Sequence, residues 1–157
     1  MRGTLNMRVY LVIMDETDEA RVALRFASRR AAKTDGQVHL LALVPRQEFV
    51  AFGGVQATIE EEAHARAEQL VTSAAGNLFS ESGQMPVIAV KEGDGIKVVS
   101  EYLAAHPEVA ALVLGAAKEG SPGPLIAHFS SVGVGGLACP LYIVPGGLVE
   151  ADIDRLS

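Results

Sequence analysis

Five stretches of the chain are apolar at nearly every position: Val9–Met14, Val38–Val44, Val87–Lys91, Val109–Leu114 and Leu141–Val144. A strand that is apolar throughout, without alternation, has to be covered on both faces. Between these runs the apolar residues recur at helical spacing. Ala20, Leu24, Ala27 and Ala31 repeat through Asp18–Lys33, with Val22 and Phe26 widening the stripe. Ala63, Ala67, Leu70, Val71, Ala74 and Leu78 form a second stripe, and Ile96, Val99 and Leu103 a third. A fourth helix is predicted from Pro124, since proline suits the first helical position. Strands alternating with helices imply right-handed crossovers, so the pattern predicts an α/β fold: one doubly wound, five-stranded parallel sheet.

Local signals set the boundaries. Asp35-Gly36 ends the first helix, and Thr58-Ile-Glu-Glu61 reads as a capping box opening the second, which gives way to a loop over Ser80–Gly83. Asp94, in the turn Gly93-Asp94-Gly95, is placed to cap the third, and Pro107 stops it. Gly133, Gly135 and Gly136 would each weaken the fourth helix by roughly 1 kcal/mol if they lay inside it. The connection Arg46–Gln56, with Phe49, Phe52 and Gly53-Gly54, is the least predictable part of the chain. Residues 1–8 form an N-terminal extension, 9–145 the domain, and 146–157 a short acidic tail expected to fray.

At 157 residues the chain fits a single domain, and its formal charge of −6 opposes binding to nucleic acid. Arg21, Arg25 and Arg29 line up as a basic stripe, read as a solvated helix face. No apolar run approaches the ~18 residues of a membrane span, and the one near the start runs into acids without a cleavage site. Cys139 is the single cysteine, so no disulfide, zinc cluster or redox pair can be drawn, and a cytoplasmic location is the simplest expectation. His39, His64, His106 and His128 share no ligand spacing, which argues against a metal site. Asp15-Glu16 resembles the acidic pair of a magnesium-binding receiver domain, but strand three ends in Lys91-Glu92 without the aspartate that such a domain phosphorylates.

Ligands of open parallel sheets sit beyond the carboxyl ends of the strands, where strand order reverses. With five strands that crevice lies between strands one and four, which brings Asp15–Thr17 and the segment Gly115–Ser131 to one place. The stretches "VIMDETDEARVALRFASRRA", "EGDGIKVVSEYLA", "VAALVLGAA" and "ACPLYIVPGG", in this order, resemble the universal stress protein family from about Val9 to Pro145. The resemblance implies a flavodoxin-like (adenine-nucleotide α-hydrolase-like) sheet of order 3-2-1-4-5 and homodimers joined through the last strand, here Leu141, Tyr142, Ile143 and Val144. It also implies two branches, one binding ATP and one not. In the binding branch an acid after strand one, matching Asp15, contacts adenine or ribose, and the end of strand two, matching Leu43 or Val44, lines the base pocket.

That branch holds phosphates with a glycine, two residues, a glycine, nine residues, then a glycine and a hydroxyl residue. Counting from Gly115 places Lys118, His128 and Phe129 at the later positions, whereas counting from Gly120 fits Gly123 and Gly133 but ends in Val134. Ser130 and Ser131 supply hydroxyls only if the loop carries an insertion. Pro122 and Pro124 offer no N–H to a phosphate, and Glu119 sets a negative charge beside it, offset in part by Lys118. Two readings stay open. One is a regulatory module holding ATP or another adenine nucleotide through Asp15, Leu43, Val44, Gly115, Gly120, Gly123, Ser130 and Ser131. The other is a nucleotide-free dimeric interaction protein. Either acts by binding rather than turnover, with slow nucleotide hydrolysis at most.

Overall fold

The computed structural model describes residues 7–45 and 53–157. Strands β1 (Val9–Met14), β2 (Gln37–Val44), β3 (Val87–Glu92), β4 (Val109–Ala116) and β5 (Leu141–Pro145) form one parallel sheet in the order β3-β2-β1-β4-β5. Helices α1 (Asp18–Lys33) and α2 (Gly53–Ser82) cover one face, and α3 (Gly95–Ala105) and α4 (Pro124–Phe129) the other. The doubly wound sheet and its strand order are those the sequence predicts. No helix among the described residues is long and apolar enough to cross a membrane.

Side chains of β1 alternate between two cores, as the pleat dictates. Tyr10, Val12 and Met14 pack with α1 and α2, while Val9, Leu11 and Ile13 pack with α3 and α4. All six are buried, which is why the run carries no polar position. Helix α1 faces the sheet through Ala20, Ala23, Ala27 and Ala31, and these small side chains let its backbone come close. Leu24, predicted for that face, is only partly buried, and Ala23 takes the central position.

The caps follow the sequence where they are local. Thr17 Oγ1 accepts from Ala20 N at 3.2 Å and opens α1, and Asp94 Oδ1 accepts from Ile96 N at 2.9 Å and Lys97 N at 3.4 Å to open α3. Each such cap contributes about 1 kcal/mol.

Five expectations need correction. Helix α2 already runs from Gly53, so Thr58 lies inside it and does not begin it, and it continues to Ser82 through the predicted loop. Phe49 and Phe52 lie outside the described residues. Strand β4 extends to Ala116, so Gly115 does not end the strand but pairs within it opposite Val144. Helix α4 stops at Phe129, which leaves Gly133, Gly135 and Gly136 beyond it around a short 3-10 turn, Val134–Gly136. The tail does not fray: it forms α5 (Glu150–Leu156), anchored by the buried Ile153.

That last correction also overturns the solvated reading of the basic stripe at Arg25 and Arg29, while Arg21 stays exposed beside Asp18. Asp154 of α5 accepts a two-pronged pair of hydrogen bonds from Arg25, Nε at 3.0 Å and Nη2 at 2.9 Å, and a third from Arg29 Nε at 3.2 Å. Lys33 Nζ donates to the carbonyls of Asp154 and Ser157, each at 2.8 Å. Arg25, Arg29 and Lys33 on α1 are the seat of the last helix.

Candidate functional site

β1 and β4 are neighbours in the sheet, yet β1 leads to α1 on one face and β4 to α4 on the other. Their carboxyl ends therefore part and leave a cleft of about 1090 Å³. Ile13, Met14, Leu43, Leu114 and Ile126 give it apolar walls. Three connections supply the rest: Asp15 and Thr17 before α1, the Glu92–Lys97 turn before α3, and Ser121–Leu125 around the start of α4.

Asp15 is exposed at the lip of this cleft. Its Oδ1 accepts from Thr17 N at 2.9 Å and from the Thr17 hydroxyl, and that hydroxyl in turn caps α1. The aspartate is thereby fixed by the same turn that starts the helix. Leu43 reaches the cleft from β2, and Gly95 lies against it: a Cβ there would stand 3.2 Å from Leu43 Cδ1 and 3.5 Å from Leu125 Cδ2.

The glycines of the β4–α4 segment have separate reasons to be glycine. At Gly115 a Cβ would lie 2.0 Å from the Glu19 carbonyl oxygen, so the first turn of α1 is seated directly on β4 there. Gly120 and Gly123 have φ of 80° and 99°, a backbone that L side chains resist, and this lets the chain double back before Pro124. Gly133 packs under the His128 ring, 2.4 Å from Nε2 to a built Cβ.

Of the residues the sequence proposes, Asp15, Leu43, Gly115 and Gly123 line the cleft; Val44, Gly120, Ser130 and Ser131 are not among its lining residues. Val44 is buried, and its carbonyl accepts from Gly93 N at 3.0 Å. The hydroxyls of Ser130 and Ser131 donate back to the carbonyls of Ile126 and Ala127 in their own helical turn. Gly123 and Gly133, which share one counting of the phosphate motif, precede and follow α4.

Charge in the cleft comes largely from residues that sequence reasoning did not assign to a ligand: Glu19, Glu92, Asp94, Lys97 and Glu101. Asp94 was legible as a cap, but nothing local announces that the turn after β3 leans over the end of β1. Among the described residues no group of three or more His, Cys, Asp or Glu side chains could hold a metal ion.

The model of the universal stress protein family matches residues 7–145. Universal stress protein UspA from Lactobacillus plantarum superposes with a TM-score of 0.73 at 18% identity, over 88% of this chain and 98% of that one. A universal stress protein family protein from Arabidopsis thaliana with AMP bound gives 0.59 at 15% identity, over 88% and 91%. A universal stress protein in complex with cAMP gives 0.57 at 12% identity, over 88% and 97%. No curated protein matches the sequence. With its motifs in order, the matching strand order and a family match over nearly the whole domain, the chain belongs to the universal stress protein family.

Proposed function

We propose that this protein is a regulatory module of the cytoplasm that holds an adenine nucleotide in the switch-point cleft, by binding rather than turnover. The observation that carries the reading is the cleft itself, about 1090 Å³ at the parting of β1 and β4, with Asp15 fixed at its lip and Leu43 on its wall. That volume is at the upper end of the ~300–1,000 Å³ typical of small-molecule sites. Structural neighbours solved with AMP and with cAMP support an adenine ligand.

Thermal unfolding with and without nucleotide tests it. A ligand at ~100 times its dissociation constant adds about 2.7 kcal/mol of stability, so at least one of AMP, cAMP and ATP at millimolar concentration should raise the midpoint, and Asp15→Ala should remove the rise. A flat midpoint with all three overturns the proposal.

A second reading, a dimer of this chain joined along β5, is favoured by a different observation. β5 is an edge strand, hydrogen-bonded to β4 alone among the described residues, and Ile143 at its middle is 41% exposed. An unpaired apolar edge is a template for another chain. Ile143→Lys should then convert the dimer to monomer by light scattering, and an unchanged mass would refute the pairing.

A further inference from the structure

The nucleotide cleft has a charge balance that its topology does not require. Among the described residues, Asp15, Glu19, Glu92, Asp94 and Glu101 contribute five acidic residues to its lining, against one cation, Lys97. That cation is already matched, since Lys97 Nζ lies 4.0 Å from Glu101 Oε1 one turn along α3. The loop's own cation is turned elsewhere. Lys118 is not among the lining residues, and its stem runs beside Gly147, where a Cβ would meet Lys118 Cγ at 3.4 Å. Arg25, Arg29 and Lys33 are committed to α5.

The loop after β4 does not make up the deficit. A polyphosphate is ordinarily held by converging N–H groups at a glycine turn and a helix N-terminus. Here Pro122 and Pro124 have no N–H, and Gly123 N is within 3.4 Å of Ser121 Oγ. Helix α4 spans only Pro124–Phe129, and the hydroxyls that follow it point back into its own carbonyls. The apolar walls are intact; the N-termini of α1 and α3 also open on the cleft, but Thr17 Oγ1 already takes Ala20 N and the Asp94 carboxylate takes Ile96 N and Lys97 N, which leaves a chain of phosphates little to neutralise it in the described lining.

We infer that the cleft is a charge filter: it accepts adenosine carrying no phosphate or one, and rejects adenosine di- and triphosphate through the carboxylates of Glu92, Glu101, Asp94 and Glu19. The inference rests on the adenine-nucleotide reading above and narrows it to a ligand class. Each added phosphate brings negative charge into a cleft whose lining is already anionic, so affinity should fall as phosphates are added. The contrast should shrink with salt, because exposed charges are screened over ~10 Å at 0.1 M ionic strength and ~3 Å at 1 M.

Calorimetric titration of the full chain with adenosine, AMP, ADP and ATP, in EDTA and at 50 mM and 500 mM NaCl, tests this. The expected result is at least a tenfold weaker affinity for ATP than for AMP at low salt, with the ratio narrowing at high salt. Glu92→Gln with Glu101→Gln is the informative variant. Both side chains are exposed and neither caps a helix, and removing Glu101 also frees Lys97. In that variant ATP should gain most, AMP less and adenosine least.

ATP binding as tightly as AMP in the unaltered protein overturns the charge filter and leaves the nucleotide site standing. A salt-independent preference for AMP, or equal gains for all four ligands in the variant, also overturns it, because exclusion would then be steric. Binding of none of the four overturns the nucleotide reading and the filter together.

Discussion

His39 Nδ1 lies 2.8 Å from Tyr102 Oη, a hydrogen bond between two buried rings that ties β2 to α3 across the sheet. The Tyr102 ring stacks on His106 with centroids 3.9 Å apart, and His106 Nδ1–H donates to the Tyr102 carbonyl at 2.8 Å. His106 also meets the His39 ring edge-on, at 5.9 Å. Two histidines with no sequence relationship thus share one tyrosine. Tyr102→Phe leaves a buried ring nitrogen without its partner and should cost about 1–3 kcal/mol, read as a lower urea midpoint at pH 7.5.

Burial holds the His39 pKa below its ordinary value, and the neighbouring His106 lowers it further, against an opposing pull from Glu108. In the unfolded chain His39 binds its proton near pH 6.5, before the folded protein does. The stability is therefore fully present above that pH and is lost as pH falls from there toward the lowered folded value, by up to ~1.4 kcal/mol per pH unit. Urea midpoints measured from pH 7.5 to 5.5 should be level at first and then decline, and His39→Gln should flatten the decline. An equal slope in that variant would assign the acid sensitivity to other groups.

Gly115→Ala separates packing from ligand binding at the loop. The built Cβ falls 2.0 Å from a backbone oxygen of α1, which has no flexible end to move aside. Overpacking of this kind costs about 1–3 kcal/mol or more, and the loss should appear equally with and without nucleotide. Gly135→Ala, where nothing lies within 4 Å, is the control and should be close to neutral. A stable Gly115→Ala that fails only in ligand binding would mean that this glycine serves the ligand.

β1, β2 and β4 were legible because burial on both faces writes itself into consecutive residues, as in Val9–Met14, where all six side chains are buried; the edge strands β3 and β5 carry apolar runs although Val87, Ile88 and Ile143 are exposed, against the expectation that such runs are covered on both faces. Alternation made the parallel sheet legible and the family resemblance supplied its strand order, which together place Asp15 at the switch point without any knowledge of its contacts. The cleft's other acids were not legible. Glu92, at the end of β3, and Glu101, on α3, carry no local signal that assigns them to a ligand, and only the folded sheet makes both of them walls of the cleft. Ser130 and Ser131 differ in the opposite way: as candidate phosphate ligands they satisfied composition, while the structure sets them outside the cleft lining with their hydroxyls donating to local carbonyls. The start of α2 lay beyond an unpatterned connection, where the capping signature at Thr58 was a false boundary.

Helix α5 was illegible because its reason to exist is distant: Arg25 and Asp154 are 129 positions apart. A seven-residue helix is too short to persist alone, so its order must depend on Ile153 and on the Asp154 cluster. The Arg25 hydrogen bonds hold the Asp154 carboxyl below its usual value, with further help from Arg29. The contribution is therefore present above the unfolded carboxylate value, about pH 4, and is lost as pH falls through the lower folded one. This window is separate from the His39 window: at pH 5 the core has already lost stability while α5 should remain docked. Asp154→Asn should release α5 at neutral pH, seen as faster amide exchange over residues 150–157 with the β1 and β4 amides still protected. Arg25→Lys should have the same effect in weaker form, because an ammonium cannot reproduce the two-pronged contact. Unchanged exchange in both variants would mean that Ile153 and the Lys33 contacts to the Asp154 and Ser157 carbonyls hold the helix in place without the carboxylate.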